Sequence, residues 1–298
     1  AQAKTLSVGG IGYEVIDDTA RSNAQTALNN AEYNRQGQIG KYGGQNIATI
    51  LRERSAAAAC TTRCISARRR ELRSLRVGDY LDVPLVSASA VTTQQSVRFL
   101  LAHIDPYLYC GDNSKGHHIA FVASAPVPVA KTVTGVANDS FLMWNTTNTT
   151  GTADQKCPYL NSNLKAWETA FEACLPESLT KYLLTQRVLL EERYSASGAL
   201  NDSNSWSWQD IGKVFSLSEM EVTLPRVGDE GYSVGFDCQF DLFRDTAHRV
   251  NGNRCNWWLR SVMGGSSSYV CCVHTTGSAH YHSATHVWVR PRPGFLVG

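Results

Sequence analysis

The sequence predicts an α+β fold: a sheet-bearing domain over residues 77–298 behind a small hairpin-plus-helix segment over residues 1–76. Three observations lead there. Short strand-like apolar runs stand at Val97-Arg-Phe-Leu-Leu-Ala-His-Ile104 and His118-Ile-Ala-Phe-Val-Ala123. A capped helical period follows, with Ser162 ahead of Leu164, Trp167, Ala170, Phe171 and Cys174. The chain then closes on a Trp-rich strand, Cys255-Asn-Trp-Trp-Leu-Arg-Ser261, and on Val289-Arg-Pro-Arg-Pro293. At 298 residues and 43% hydrophobic, it can bury one large core or two modest ones.

Taken in order, Leu6-Ser-Val-Gly-Gly-Ile-Gly-Tyr-Glu-Val-Ile16 alternates around glycines and predicts a hairpin. Asp18 is the expected N-cap of a helix running to about Tyr33. Its narrow apolar face (Ala20, Ala24, Ala27, Leu28, Ala31) suits helix packing in an oligomer. After a Gly/Gln-rich break at 36–45, a second helical stretch over 47–75 carries Arg52, Arg54, Arg63, Arg68, Arg69, Arg70 and Arg73, with Arg76 just after it, against only Glu53 and Glu71. That stretch reads as a solvated or protein-docking face. Gly78-Asp79-Tyr80 opens the larger domain. A polar Thr/Asn loop spans Asn145 to Thr152, Pro176 begins a helix through Leu179, Tyr182, Leu183 and Leu184, and Val214-Phe-Ser-Leu-Ser-Glu219 leads into polar loops.

The bulk properties exclude several classes. A net charge of +2 is too small for a field that would attract nucleic acid. No run of eighteen apolar residues occurs, and no basic stretch ahead of an apolar one opens the chain, so neither membrane insertion nor export is expected. The nine cysteines lack framework spacing and paired zinc hooks, which fits reduced, buried thiols in a chain made in the cytoplasm.

The C-terminal stretch is the most informative. From Ser261 to Val289 there is no Asp, Glu, Lys or Arg, yet four of the eight histidines fall there. Between Ser266 and His286, thirteen of twenty-one residues are Ser, Tyr, Cys or His, a mixture that forms hydrogen bonds without charge. It predicts a recognition surface in a rigid frame. Trp257 and Trp258 are expected in the core, Trp288 alternates with Val287 and Val289, and Arg260 and Arg290 are expected to bond backbone carbonyls or carboxylates.

Two sets of residues carry resemblances. Val8-Gly-Gly-Ile-Gly-Tyr-Glu-Val-Ile-Asp-Asp-Thr-Ala-Arg21 resembles the N-terminal attachment segment of phage tail and fibre proteins. Trp257-Trp-Leu-Arg-Ser261 with Val289-Arg-Pro, preceded by Gly78-Asp79, Val97-Arg-Phe-Leu, Ser162-Asn-Leu-Lys-Ala-Trp167 and Val214-Phe-Ser-Leu-Ser218, resembles the C-type-lectin-like domain of variable proteins diversified by retroelements. The second resemblance implies a fold shared with the formylglycine-generating enzyme, and a variable region at about 253–288. In that family a reverse transcriptase of low fidelity at adenines rewrites codons near the 3′ end of the gene. The implied variable, ligand-binding positions are Asn253, Asn256, Ser268, Tyr269, Cys271, Cys272, His274, His280, Tyr281, His282, Ser283 and His286. Val270, Val273, Gly277, Ala279, Ala284 and Val287 form the fixed skeleton between them. Arg292 departs from the family, where small residues are commoner.

The resemblances imply a non-enzymatic receptor-binding protein of a phage virion, a homotrimer, held to other tail proteins by its N-terminal segment. Its partner would be a bacterial cell-surface receptor, protein or glycan. No catalytic set, metal or cofactor is expected. The alternatives are a Cys/His metal-binding or oxidase-like enzyme on the same fold, and a variable protein displayed on a bacterial surface. His280-x-His282 with His286 and Cys271 or Cys272 would be the ligands in the metal reading, but no carboxylate is near to orient the rings. The stretch also lacks the oxygen ligands that calcium needs.

Overall fold

A computed structural model describes residues 5–8, 11–14, 47, 75–108, 116–136, 138, 140–151, 157–195, 197, 199–200, 206–224, 238–250 and 255–298. The helix capped by Asp18, the arginines at 52–73, Cys60, Cys64, Cys110 and Asn253 lie outside the described residues. The chain divides into two compact units, 1–43 and 44–298, the division falling in the Gly/Gln-rich break. In the smaller unit, β1 (Thr5–Val8) pairs antiparallel with β2 (Ile11–Glu14). Val8 opposes Ile11, so the Gly9-Gly10 dipeptide is all that separates the paired ends, as the sequence predicts for a hairpin.

The larger unit is a mixed α+β structure, rich in short sheets and poor in helix. Its main sheet begins as an antiparallel meander, β3 (Tyr80–Pro84), β4 (Ser96–Ile104) and β5 (Ile119–Ala123). Every residue of β5 is buried, which explains its continuous apolar run. The last strand, β14 (Gly294–Val297), returns to pair with β5. On its other side β14 takes β6 (Leu183–Leu184) and β9 (Val214–Phe215). Gly294 is required there, because a Cβ would stand 2.8 Å from the Phe121 carbonyl oxygen. Phe295 fills the centre, its ring 4.6 Å from Phe99 and 5.6 Å from Phe121.

Helix α1 (Asn163–Glu172) forms where its cap predicts: Ser162 Oγ accepts from the Lys165 amide at 3.0 Å, and Leu164, Trp167 and Phe171 are buried. The helix expected after Pro176 is a single turn, α2 (Glu177–Thr180). Leu183 and Leu184 leave it to pair with Val297 and Leu296, because the apolar edge of β14 offers ladder bonds that a solvated helix end does not. A ribbon of β7 (Gln186–Glu191) and β8 (Trp206–Gly212) precedes β9. Helix α3 (Glu219–Val222) starts with a full capping box between Ser218 and Glu221, and α4 (Thr246–Val250) follows.

The second sheet of this unit has four strands in the order β12-β11-β10-β13. They are β10 (Asn256–Val262), β11 (Tyr269–Val273), β12 (Ala279–Ser283) and β13 (Val289–Arg290). β10 is the Trp-Trp-Leu-Arg-Ser strand, and Trp257, Trp258 and Leu259 are all fully buried. Each buried indole finds a carbonyl: Trp257 donates to Arg249, Trp258 to Leu142, and Trp144 in turn to Leu259. Arg260 donates to Glu221 through both terminal nitrogens, at 2.7 and 2.8 Å, and to the Ser216 carbonyl at 3.1 Å.

Arg292 is fully buried and is held by backbone carbonyls. It donates to those of Ala123, His248 and Ser124 at 2.8–3.1 Å, and its guanidinium lies 4.7 Å from the Trp257 ring centroid. Burial pushes its pKa down to about 9. The residue that departs from the family resemblance is therefore a tie between the two sheets: its carbonyl partners on the β5 side are joined through it to the indole of β10.

Removing one partner of a buried ion pair leaves the other charge without compensation. Arg260→Ala is expected to destabilise the chain by about 3–5 kcal/mol in urea unfolding, and the paired change Arg260→Leu with Glu221→Leu by clearly less. Equal losses for the single and the paired variants would contradict this account of the interaction.

Candidate functional site

β12 is the edge strand of the four-stranded sheet, so both of its faces reach solvent in part. The register of β11 and β12 sorts the sequence-predicted positions between those faces. Cys272 opposes His280 and Val270 opposes His282, while Cys271 opposes Tyr281 and Tyr269 opposes Ser283. Alternation therefore puts Cys272, His280 and His282 on one side and Tyr269, Cys271, Tyr281 and Ser283 on the other. The turn that joins the strands closes with the His274 amide on the Ser278 carbonyl at 2.9 Å. Gly277 adopts φ +82° in it, and a Cβ there would stand 3.0 Å from a methyl of Val250.

On the tyrosine side, Tyr269 and Tyr281 meet edge to face at 5.4 Å and remain 42% and 39% exposed. Trp288 is 57% exposed and rests edge-on against Phe141 at 5.2 Å. The alternation around it resolves with Val289 inside and Trp288 outside. Arg290 donates to the carbonyl and hydroxyl of Ser140 and sits over the Phe141 ring, so it braces this rim, as the sequence reading expects.

On the other side four imidazoles form a row. Ring centroids step from His274 to His280 at 5.4 Å, to His282 at 4.8 Å and to His286 at 3.9 Å, the last pair lying parallel. Asn256 anchors the row: its Oδ1 accepts from the Thr275 amide at 2.9 Å, and its Nδ2 lies 3.1 Å from Nε2 of His282. Burial holds His282 down at about 4, helped by the neighbouring His286, His280 and His274. His286 is lowered by burial and then by His280. His282 and His286 are thus uncharged at neutral pH.

Below the surface the picture differs from the sequence reading. Cys271 and Cys272 are fully buried, so neither presents a contact surface in this chain. The reason is position: β11 is flanked on both sides by strands, and only its first residue, Tyr269, is exposed. Burial and then Glu219 push the Cys272 thiol far above its ordinary pKa, which makes it a poor nucleophile. The Cys271 thiol lies 3.9 Å from Glu219 Oε2. Ser268 and Ser283 are half-buried, and their carbonyls accept from the Ala284 and His286 amides. The remaining candidates, Asn256, Tyr269, His274, His280, Tyr281, His282 and His286, do come together around β12.

The loop at 145–151 supports this sheet from the side. Asn145 N–H donates to Ala284, Thr150 N–H donates to Ser267 at 2.6 Å, and the Thr150 and Tyr194 hydroxyls lie 2.6 Å apart. Sequence pattern alone marks this segment as polar and says nothing of its partners. Among the described residues, Cys272, His280 and His282 are a group that could hold a metal ion, their donor atoms lying within 4.8 Å of one another. No helix among the described residues is long and apolar enough to cross a membrane.

A family model described as a domain of unknown function (DUF6273) matches residues 137–297, a span that takes in the loop at 145–151, the four-stranded sheet and β14. No curated protein matches the chain, and no solved structure does.

Burial lowers the pKa values of His103, His248, His282 and His286 below the ordinary imidazole value. The unfolded chain then takes up protons before the folded one as pH falls, so stability declines from about pH 6.5 towards about 4. Glu168, raised by burial, acts in the opposite sense. The melting temperature is expected to drop between pH 7 and pH 5, and His282→Gln to flatten that drop. An identical pH dependence in wild type and variant would refute the contribution of His282.

Proposed function

We propose that this chain, which belongs to the DUF6273 family, is a non-enzymatic receptor-binding protein whose recognition surface is built around β12. The observation that carries this reading is a sharp division by depth. Trp257, Trp258 and Arg260 on β10, and Arg292 after β13, are buried and bonded. Tyr269, His280 and Tyr281 are exposed on β11 and β12, and Trp288 is exposed beside β13 at the other edge, in a stretch without charged residues. Three of the five large exposed hydrophobics among the described residues belong to this stretch. Tyrosine, tryptophan and histidine give contact area and hydrogen bonds at low cost in side-chain entropy. A frame that holds them in place before contact gains affinity by preorganisation, with no deep pocket.

The finer reading is a C-type-lectin-like domain diversified by a retroelement and carried on a phage tail or fibre, the target being a bacterial surface protein or glycan. Its supports are the Trp-Trp-Leu-Arg-Ser and Val-Arg-Pro brackets and the Ser/Tyr/His content between them. The return of β14 to the sheet begun by β3 is a further support, since it leaves the variable stretch as an excursion from a closed frame. A trimer on the N-terminal segment would multiply weak single contacts into firm adhesion.

Two measurements test this. Tyr281→Ala and Trp288→Ala are each expected to weaken binding to susceptible bacterial cells by about fivefold or more, with the melting temperature of the chain unchanged. Retained binding in both variants would move the recognition surface elsewhere. In the source genome, a near-copy of the coding region for about 257–290, differing mainly at adenines and close to a reverse-transcriptase gene, is expected. A genome that lacks it would overturn the diversification reading and leave the surface reading standing.

A further inference from the structure

We propose that Cys272, His280 and His282 form a binding site for a borderline-soft transition-metal ion, with Zn2+ the best fit. The inference is independent of the receptor-binding reading. Cys272 and His280 are directly opposed across β11 and β12, and His282 lies two residues along on the same face. Side chains so placed have Cβ atoms only about 4.5–5.5 Å apart. Their donor atoms already lie within 4.8 Å of one another. A tetrahedral ion bound at about 2.0–2.3 Å needs donors roughly 3.4–3.7 Å apart, so the group must close by about 1 Å. Small side-chain rotations on an edge strand supply that.

The donor set selects the ion. One sulfur and two imidazole nitrogens suit Zn2+, whereas Ca2+ and Mg2+ want the oxygen ligands that the stretch lacks. The ring of His280 is already oriented by the backbone, its Nδ1 lying 2.7 Å from the carbonyl oxygen and 2.8 Å from the amide nitrogen of Tyr281. In the tautomer where Nδ1–H donates to that carbonyl, the contact does what a carboxylate often does for a ligand histidine, and Nε2 keeps the lone pair that would bind the ion. At His282 an ion bound through Nε2 would take the place of the Asn256 amide. The buried thiol is no obstacle, because a coordinating thiol gives up its proton to the metal. Three protein ligands leave a fourth position for water, or for His286, whose ring lies 3.9 Å from that of His282. The ion would clip the exposed edge strand β12 to the buried strand β11.

The test uses the full chain, treated with chelator and kept reduced, titrated with Zn2+ alone and with Co2+ as a spectroscopic probe. One Zn2+ per chain is expected, and the Co2+ form should show a thiolate-to-metal charge-transfer band. Cys272→Ser should abolish that band. His280→Ala, at an exposed position that leaves the fold intact, should weaken Zn2+ binding by about tenfold or more, and His274→Ala should leave it unchanged. Absence of the band in the wild type, or equal Zn2+ binding by wild type and His280→Ala, would overturn the site. Binding without the band would mark surface imidazoles collecting metal and no more.

Discussion

The pair between Arg260 and Glu221 is the interaction on which the larger unit turns. Both side chains are out of contact with water, and two parallel hydrogen bonds hold them in one plane. Glu221 also accepts from the Ser218 amide in the capping box and from the Tyr107 hydroxyl, and Arg260 reaches the Ser216 carbonyl. Three distant stretches therefore meet at one buried carboxylate: the connection after β4, the β9–α3 corner and the central strand β10. Such a pair contributes little net stability against a well-packed apolar substitute, since both ions lose their water. What it does contribute is position. Arg260 satisfies all these acceptors only when β10 lies in its native register.

That register matters because β10 carries the rest of the sheet. Its tryptophans are locked by indole-to-carbonyl bonds, and Arg292 clamps the Trp257 ring from the side while bonding the backbone of the neighbouring sheet. β11 builds on β10, and β12 builds on β11. Burial is complete at Trp258 on β10 and at Cys272 on β11, and is lost only at the last step, where His280 on β12 is exposed. The stretch proposed for recognition is the last and least constrained strand of a stack whose base is fixed by buried charge. Side chains on such an edge can change at a cost of only about 0.2–1 kcal/mol per cross-strand pair.

The edge position also shapes the chemistry of the histidines. Burial first, and then their histidine neighbours, keep His282 and His286 neutral, which suits hydrogen bonding to a partner and leaves ring nitrogens able to take a metal. The two faces of β12 thus differ: aromatic contact area on the tyrosine side, nitrogen and sulfur donors on the other.

Local sequence signals determined a good part of this protein. The glycine hairpin, the strands at 97–104 and 119–123, the Ser162 cap and the burial of Trp257 and Trp258 all follow from short-range periodicity and capping chemistry. The uncharged C-terminal stretch was equally legible, because charge and composition need no coordinates. Only the tertiary structure decided the rest. Leu183 and Leu184 left a helical pattern for a strand, since their partners in β14 lie more than a hundred residues away. Cys271 and Cys272 read as surface residues beside tyrosines and histidines, yet they are buried, because the order of strands in the sheet sets which of them has neighbours on both sides. Register, not composition, split the histidines from the tyrosines and brought Cys272 up against His280. Pairing of that kind is a non-local choice, made by which backbone groups and apolar faces can be satisfied together, and a one-dimensional pattern does not contain it.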